Sequence, residues 1–119
     1  MTKRTALKPL LNKKVTVTGY IKEIEYKSMI DIDDPSKRNV SILLKPVSIS
    51  GIEVNHIWLY ERNKYYDDFQ RLYGKDVKFK ANVVAYVKNK KGVYVEDYGI
   101  KRLNTVMEKS EYNKNIKNM

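Results

Sequence analysis

The stretch that decides the fold of this chain begins about two thirds of the way along it and reads Val77-Lys78-Phe79-Lys80-Ala81-Asn82-Val83-Val84-Ala85-Tyr86-Val87. Apolar residues occupy every odd position, and most of the even positions are polar or charged. A period of two is typical of a strand with one buried face, because successive side chains of a strand point to opposite faces. The small side chains of Ala81 and Ala85 suit the crowded interior of a small barrel. The sequence therefore predicts a long strand that borders a compact β core.

Four further strands are predicted around this one. The first runs from Lys14 to about Tyr26 and is bent at Gly19, since an internal glycine marks a bulge or a sharp turn of a strand. The second covers residues 39–45 and ends before Pro46, which cannot donate a ladder hydrogen bond. The third covers residues 52–60. The last follows the glycine-containing turn Asn89-Lys90-Lys91-Gly92 and runs from residue 93 to about 103.

One helix is predicted between the third strand and the stretch at Val77. Residues 62–73 place Tyr65, Phe69 and Leu72 at helical spacing. Asn63 is positioned to cap the helix at its start, and Gly74 is positioned to end it. The aromatic stripe of this helix is interpreted as core, closing the bottom of a barrel.

Composition excludes several classes of protein. The 119 residues contain no Cys and a single His, so disulfide frameworks, zinc fingers, iron–sulfur centres and thiol nucleophiles are ruled out. Twenty-four Lys and Arg against fourteen Asp and Glu give a net charge of +10. The chain has the length of one domain. Composition therefore favours a basic binding module over an enzyme.

The positive charge is unevenly distributed. Residues 1–14 carry five basic groups and no acid, which is half of the excess. We interpret residues 1–11 as a basic arm, 12–105 as the folded domain and 106–119 as a Lys- and Asn-rich tail, frayed or a short helix. The arm is either a solvated terminus or a segment that lies on phosphate, and the sequence leaves both open.

The order of these elements resembles that of the OB-fold. A first strand bent at Gly19, a hairpin to the second and third strands, a helix, and the entry Gly74-Lys75-Asp76-Val77-Lys78-Phe79 to the fourth strand carry the resemblance over residues 12–105. It implies an all-β fold: a five-stranded OB-type Greek-key barrel with one helix between strands three and four. The segments Ile42-Leu43-Leu44-Lys45, Asn55-His56-Ile57-Trp58-Leu59 and Asp97-Tyr98-Gly99-Ile100 are also similar to small OB-type proteins from replication modules on mobile elements of low-GC Gram-positive bacteria.

The resemblance implies a binding face. OB-folds that bind single strands use the surface of strands two and three with two adjoining loops, where bases stack on aromatic rings and basic side chains follow the backbone. On this chain the expected nucleic-acid-binding residues are Trp58, His56, Tyr60, Lys45, Lys37, Arg38, Tyr86, Lys88, Lys90, Lys91 and Tyr94.

Two of these assignments have alternatives. If the third strand were inverted, Trp58 would belong to the core rather than to a stacking platform, as a lone Trp of a small domain commonly does. Tyr86 and Tyr94, which flank the last hairpin, could form an ordinary cross-strand aromatic pair instead of contacting a ligand.

Catalysis and metal binding are not expected. Asp31, Asp33 and Asp34 do not follow the calcium-loop pattern, because Ser36 replaces the required Gly and Ile42 the required Glu. We interpret them as a solvated turn, whose charge would also repel phosphate. Asp67 and Asp68 are adjacent on the helix and point apart. The sequence predicts no cofactor.

The predicted function is sequence-tolerant binding of single-stranded DNA, with RNA not separable, in replication or maintenance of a mobile element. The alternative is an adaptor that binds a polymerase, primase or helicase, with weak or indirect nucleic-acid contact. Neither a signal-peptide apolar run nor a membrane span of about eighteen apolar residues is visible, so we expect no membrane partner and a cytoplasmic location.

Overall fold

The computed structural model describes residues 4–30 and 32–117, and the chain is mostly β. Its strands are β1 (Lys14–Tyr26), β2 (Val40–Ile49), β3 (Ile52–Val54), β4 (Ile57–Glu61), β5 (Asp76–Lys90), β6 (Val93–Arg102) and β7 (Met107–Glu108). Its helices are α1 (Tyr66–Gln70) and α2 (Lys109–Lys117), with 3-10 helices at Arg4–Leu10 and Asn63–Tyr65. The prediction of a mostly β chain is confirmed.

The strands form one antiparallel sheet. Neighbouring strands follow the order β3-β2-β1-β5-β6, while β4 also pairs with β2 and β7 with β5. Among the described residues no ladder joins β4 to β6, so hydrogen bonding does not close the sheet. The two strands are nevertheless linked by their side chains, because Arg102 of β6 forms an ion pair with Glu61 of β4.

The alternation that begins at Val77 produces the core in its first half only. Ala85, predicted to lie in the barrel interior, is exposed, and so is Val87, because the β5–β6 hairpin extends past the core there. Val77, Phe79, Ala81 and Val83 are completely buried, and the intervening side chains lie on the outer face of β5. Residues at matching positions of the other strands complete the core, among them Val17, Ile21, Ile42, Leu44, Ile57, Leu59 and Ile100. Burial of each large apolar side chain contributes about 1.5 to 3 kcal/mol, which makes this layer the main source of stability.

The second strand is longer than predicted, because it continues through Pro46 to Ile49. Gly19 pairs with Val47 and Ile21 with Leu44, so two residues of β2 oppose one residue of β1 at this point. Pro46 thus lies in a bulge, where its missing N–H costs no ladder hydrogen bond. The prediction that the strand ends before Pro46 was wrong for this reason.

The third predicted strand is divided in two at Asn55 and His56. The bulge at Pro46 divides β2 into two halves, and each half takes its own partner. Val47–Ile49 pairs with β3, whereas Val40–Leu44 pairs with β4.

The predicted helix is shorter than expected, and Asn63 does not cap it. A 3-10 turn at Asn63–Tyr65 precedes α1, which ends at Gln70, although Gly74 adopts the positive φ of 74° that ends the segment. The Asn63 side chain is buried and donates from Nδ2 to the carbonyl of Asp34 at 2.9 Å. Asn63 therefore ties the β1–β2 loop to the start of the helical segment.

Both termini of the described chain pack on the sheet. Leu7 of the first 3-10 helix is fully buried in the core, while Met1 to Lys3 of the predicted arm lie outside the described residues. The tail forms β7 and α2, and its Tyr112 is buried with the Lys78 ammonium 5.2 Å from the ring centroid. Within residues 4–30 and 32–117, none of the helices has the length and apolar character needed to span a membrane.

Candidate functional site

An open groove of about 660 Å³ lies where β4, β5 and β6 approach each other. We call it the aromatic groove and define it by its lining residues, which are Lys27, Trp58, Tyr60, Val84, Tyr86, Gly99 and Ile100. Its volume falls within the roughly 300 to 1,000 Å³ of small-molecule sites.

The β4 side of the groove follows from strand alternation. Ile57 and Leu59 point into the core with exposures of 0 and 1%, so Trp58 and Tyr60 point outward. Trp58 is half-buried and Tyr60 is 43% exposed. The inverted orientation of this strand, in which Trp58 is core, is therefore not what the structure shows. Trp58 lies on the face expected for a stacking platform.

The β5–β6 side of the groove is formed by Tyr86 lying across Gly99. A Cβ atom added to Gly99 would lie 3.3 Å from Cε1 of the Tyr86 ring, so the ring occupies the space that glycine leaves open. The Tyr86 hydroxyl donates to Oδ2 of Asp97, the residue directly opposite on β6, at 3.1 Å. These two contacts fix a ring that remains 37% exposed. Such a ring is pre-organised as a flat surface for stacking.

Two cations lie beside Tyr60. The Nζ atom of Lys27 is 4.8 Å from the Tyr60 ring centroid, and a guanidinium nitrogen of Arg38 donates to the Tyr60 carbonyl at 3.2 Å. Lys27 and Arg38 belong to the segment between β1 and β2, whose ends are joined by the bond from the Lys27 amide to the carbonyl of Asn39. Positive charge thus borders the exposed rings from one side.

The expected residues of the β5–β6 hairpin are separated by its register. Tyr94 lies opposite Asn89, and Tyr86 lies opposite Asp97, so the two tyrosines are not a directly opposed pair and lie on different faces. Tyr94 is 74% exposed outside the groove, and Lys91 is exposed in the turn. The backbones of Lys88 and Lys90 belong to β5, but their side chains lie outside what the structure describes.

Three other expected residues do not line the groove. Lys45 is exposed at a separate cleft beside Pro46 and Glu53. His56 is half-buried in the turn before β4, and Lys37 is exposed in the β1–β2 loop. The structure thus brings together Trp58, Tyr60 and Tyr86, with Arg38 adjacent.

Electrostatics distinguish the aromatic groove from other clefts of the described chain. Its lining contains a lysine and no carboxylate. Three other clefts include carboxylates in their walls, namely Asp68 and Glu111, Asp76 and Glu108, and Glu53 and Asp76. In these clefts the carboxylates offset the neighbouring basic side chains, whereas the lysine of the groove has no carboxylate beside it in the lining.

The acidic turn forms no metal site in the part of the chain that the structure describes, which contains no group of three or more possible ligands. Asp31 lies outside that part. Oδ1 of Asp34 accepts hydrogen bonds from the Ser36 hydroxyl at 2.7 Å and the Ser36 amide at 3.0 Å. These two bonds lower the pKa of the Asp34 carboxyl. The Asp34 carboxylate therefore stabilises the turn through its hydrogen bonds with Ser36.

Sequence reasoning missed Lys27, Val84, Gly99 and Ile100 as groove residues. Val84 and Gly99 were recognisable in part, because Val84 shares the parity of Tyr86 and a glycine inside a strand signals close approach of another group. No feature of the sequence indicated that Lys27 belongs to the groove, since its position over Tyr60 depends on how the β1–β2 segment folds back.

Comparisons with protein-family models, with curated proteins and with solved structures found no match to this chain.

Proposed function

We propose that this chain binds single-stranded DNA with little sequence preference through the aromatic groove. The observation that carries the proposal is the meeting of Trp58, Tyr60 and Tyr86 with Lys27 in one open groove whose lining residues include no carboxylate. The four residues come from three parts of the chain that are far apart in sequence, the end of β1, β4 and β5, so only the fold brings them together. Stacking rings beside a cation are what a single strand requires, and each stacked base is worth roughly 1 to 3 kcal/mol. Because every base has a π face, such binding tolerates sequence.

The proposal includes a five-stranded OB-type Greek-key barrel as the scaffold. The strand order β4-β2-β1-β5-β6 supports it, as does the approach of the two end strands, where Nε of Arg102 lies 2.6 Å from Oε2 of Glu61. A partly open wall is normal for OB barrels, which bind their ligands on strands two and three. In this scheme β4 is the third barrel strand, and the groove lies on its outer face.

The biological setting is a further part of the proposal. The sequence resemblance to OB-type proteins of replication modules supports a role as an accessory in replication or maintenance of a mobile element. A single strand exposed during replication is the substrate that the groove would cover.

The single tryptophan gives a direct test. We expect titration with oligo-dT at low salt to quench Trp58 fluorescence, with an affinity that falls as salt rises because counterions are released from the strand. Heparin is the matched control, since it is a polyanion without bases. It should compete for the lysines but leave the fluorescence of Trp58 unquenched.

Two outcomes would contradict the proposal: no binding of oligo-dT at low salt, or equal quenching by heparin and oligo-dT. Titration with oligo-rU under the same conditions compares RNA with DNA. A tighter complex with oligo-rU would change the ligand from DNA to RNA and leave the groove as the site.

A second function, docking of a polymerase, primase or helicase, is favoured by Met29 and Ile30. These adjacent side chains in the β1–β2 segment are 75% and 92% exposed, and large apolar side chains are enriched in the centres of protein interfaces. Replacing both by Ser should leave oligo-dT binding unchanged if DNA is the ligand. For an adaptor, the same pair of substitutions should abolish binding to the purified replication protein of the same element.

A further inference from the structure

The outer face of β1, β5 and β6 carries a group of lysines beyond the aromatic groove. Lys14, Asn82 and Lys101 form one row across the three strands, and Thr16 and Lys80 form the next row. We call these five residues the lysine face. Burial confirms the orientation, since the neighbours Val15, Ala81 and Ile100 point into the core, whereas Lys14 and Lys101 are exposed.

The geometry of the lysine face follows from strand spacing. Adjacent strands lie about 4.8 Å apart, so the backbones of Lys14 and Lys101 are separated by roughly 10 Å. Lys80 lies one row further along β5, about 7 Å from Asn82. Its ammonium donates to the Thr16 hydroxyl, which holds the charge over the sheet. Three lysine side chains therefore project from a small area of the sheet.

Acidic groups lie at the borders of this face rather than on it. Asp76 and Glu53 occupy the outer face further down the sheet, beside Tyr20 and Ser48. Asp97 lies beyond the groove, where it accepts from Tyr86. Lys78, which would extend the face downward, is engaged with α2 because its ammonium donates to Oδ1 of Asn113 at 2.9 Å.

The lysine face is continuous with the aromatic groove. On β5 the outward positions run Tyr86, Val84, Asn82 and Lys80, and on β6 Gly99 is followed by Lys101 on the same face. One step of two residues along a strand is about 7 Å. A DNA strand that leaves the groove past Gly99 thus reaches Lys101 within that distance. From Tyr86 to Lys80 the same path measures about 20 Å.

We infer that the lysine face is a second contact surface, which binds the phosphodiester backbone of the strand whose bases occupy the aromatic groove. The inference rests on the proposed function and extends it. The groove, with its rings, contacts bases, whereas the lysine face has no aromatic side chain and contacts phosphates alone. Bound DNA is therefore longer than the groove, and it turns from β4 over β6 and β5 toward β1.

The test uses two lengths of oligo-dT and two matched pairs of substitutions. Lengths of four and sixteen nucleotides represent roughly the lower and upper ends of what one OB fold covers. The test pair is Lys14→Gln with Lys101→Gln. The control pair is Lys22→Gln with Lys75→Gln, which removes the same charge from exposed lysines located away from the lysine face.

For the sixteen-nucleotide strand, we expect the test pair to weaken binding several-fold and to reduce the slope of log affinity against log salt by about 1.4, since each phosphate contact on a single strand contributes about 0.7. The four-nucleotide strand should bind the test pair and the control pair equally. In addition, the long strand should protect Lys14 and Lys101 of the unsubstituted protein from acetylation, and the short strand should not.

The outcomes separate the two proposals. If the unsubstituted protein binds neither length, the proposed function and this inference both fail. If it binds both lengths but the test pair behaves like the control pair on the long strand, only the inference is overturned. Equal weakening of both lengths by the test pair would also overturn it, because the lysines would then act by long-range attraction and not by contact. Protection of these lysines by an acidic protein but not by DNA would assign the lysine face to a protein partner.

Discussion

On both sides of the boundary between β4 and β6 a cation lies against an aromatic ring. The inner cation is buried and paired with a carboxylate, whereas the outer one is exposed. On the inner side, the Arg102 guanidinium lies 4.7 Å from the Tyr65 ring centroid and 5.7 Å from that of Phe69, and Glu61 neutralises it. On the outer side, Lys27 lies 4.8 Å from the Tyr60 centroid in a groove whose lining has no carboxylate.

The comparison shows that a cation on an aromatic ring does not by itself mark a ligand site. Burial works to lower the pKa of Arg102, but the hydrogen bonds and charge of Glu61 outweigh it and raise the pKa. The side chains of Arg102 and Glu61 are only 12% and 7% exposed, so the Arg102 guanidinium is buried in an ion pair and is not accessible to a ligand. Lys27 and Tyr60 are exposed, and their charge and ring face remain accessible to a ligand. The inner cluster is therefore expected to control stability and the outer one binding.

The largest expected effect is on the inner side. Glu61→Gln should lower the free energy of unfolding in urea by about 3 to 5 kcal/mol, because it leaves a buried guanidinium unpaired. Glu25→Gln, at an exposed position of β1, is the control and should change it by less than about 0.5 kcal/mol. A loss below 1 kcal/mol for Glu61→Gln would contradict this description of the inner side.

If Glu61→Gln does not fold, a double variant keeps the prediction testable. Glu61→Leu with Arg102→Met replaces the ion pair by apolar side chains and should recover most of the lost stability, as is common for buried ion pairs. Failure of this double variant to fold would show that the pair is needed for more than charge balance.

The next largest effect is on the outer side, at Trp58. Trp58→Ala should weaken oligo-dT binding by about 1 to 3 kcal/mol, or roughly 5- to 150-fold, because one stacking ring is lost. Anisotropy of a labelled strand measures it, and circular dichroism should show a folded protein. Tyr73→Ala, which removes a ring that is 52% exposed outside the groove, should leave binding unchanged. Unfolding of Trp58→Ala would assign Trp58 to the core.

A smaller effect is expected from Gly99→Ala. The added Cβ forces the Tyr86 ring to shift, at a cost of about 0.5 to 1.5 kcal/mol in binding, which is that of an off-rotamer side chain. A double-mutant cycle identifies the cause. In a protein with Tyr86→Ala, Gly99→Ala should have no further effect on affinity. Additive losses would mean that Gly99 acts through something other than the ring.

The smallest effect is expected at Lys27. Lys27→Gln should reduce the salt slope of oligo-dT binding by about 0.7 and the affinity at low salt by a few-fold, because one counterion fewer is released. The Glu61→Leu, Arg102→Met double variant should bind with an unchanged slope, since Arg102 is not available to phosphate. A reduced slope for that double variant would remove the distinction between the two cations.

The sequence predicted the core of the fold well where alternation was regular. The alternation of β5 predicted the burial of Val77 to Val83 correctly, because these positions face one apolar layer. It continues to Val87, but Ala85 and Val87 are exposed, since the hairpin extends past that layer and alternation alone does not show where the layer ends. The bulge at Pro46 and the division at Asn55 and His56 were not readable. They depend on register between strands, which tertiary pairing determines and local composition does not.

The candidate site was predicted in part for the same reason. The outward orientation of Trp58 and Tyr60 follows from the alternation of side chains along β4, and that of Tyr86 from the alternation along β5. The separation of Tyr94 from Tyr86 depends on the length of the hairpin turn, because a change of one residue moves a side chain to the other face. Asn63 was misread because its amide serves a loop distant in sequence instead of the adjacent helix.

The outer half of the β5–β6 hairpin has a consequence for how this protein can diverge. Beyond the pair formed by Tyr86 and Asp97, toward the turn, its described side chains lie outside the core and outside the groove, and Val87, Val93 and Tyr94 are 67%, 61% and 74% exposed. Insertions, deletions and substitutions there remove little buried area, so selection for stability scarcely constrains them. The inner half of the same hairpin is fixed by the core. A protein built in this way can change what it contacts at the hairpin tip while the body that carries the groove stays the same.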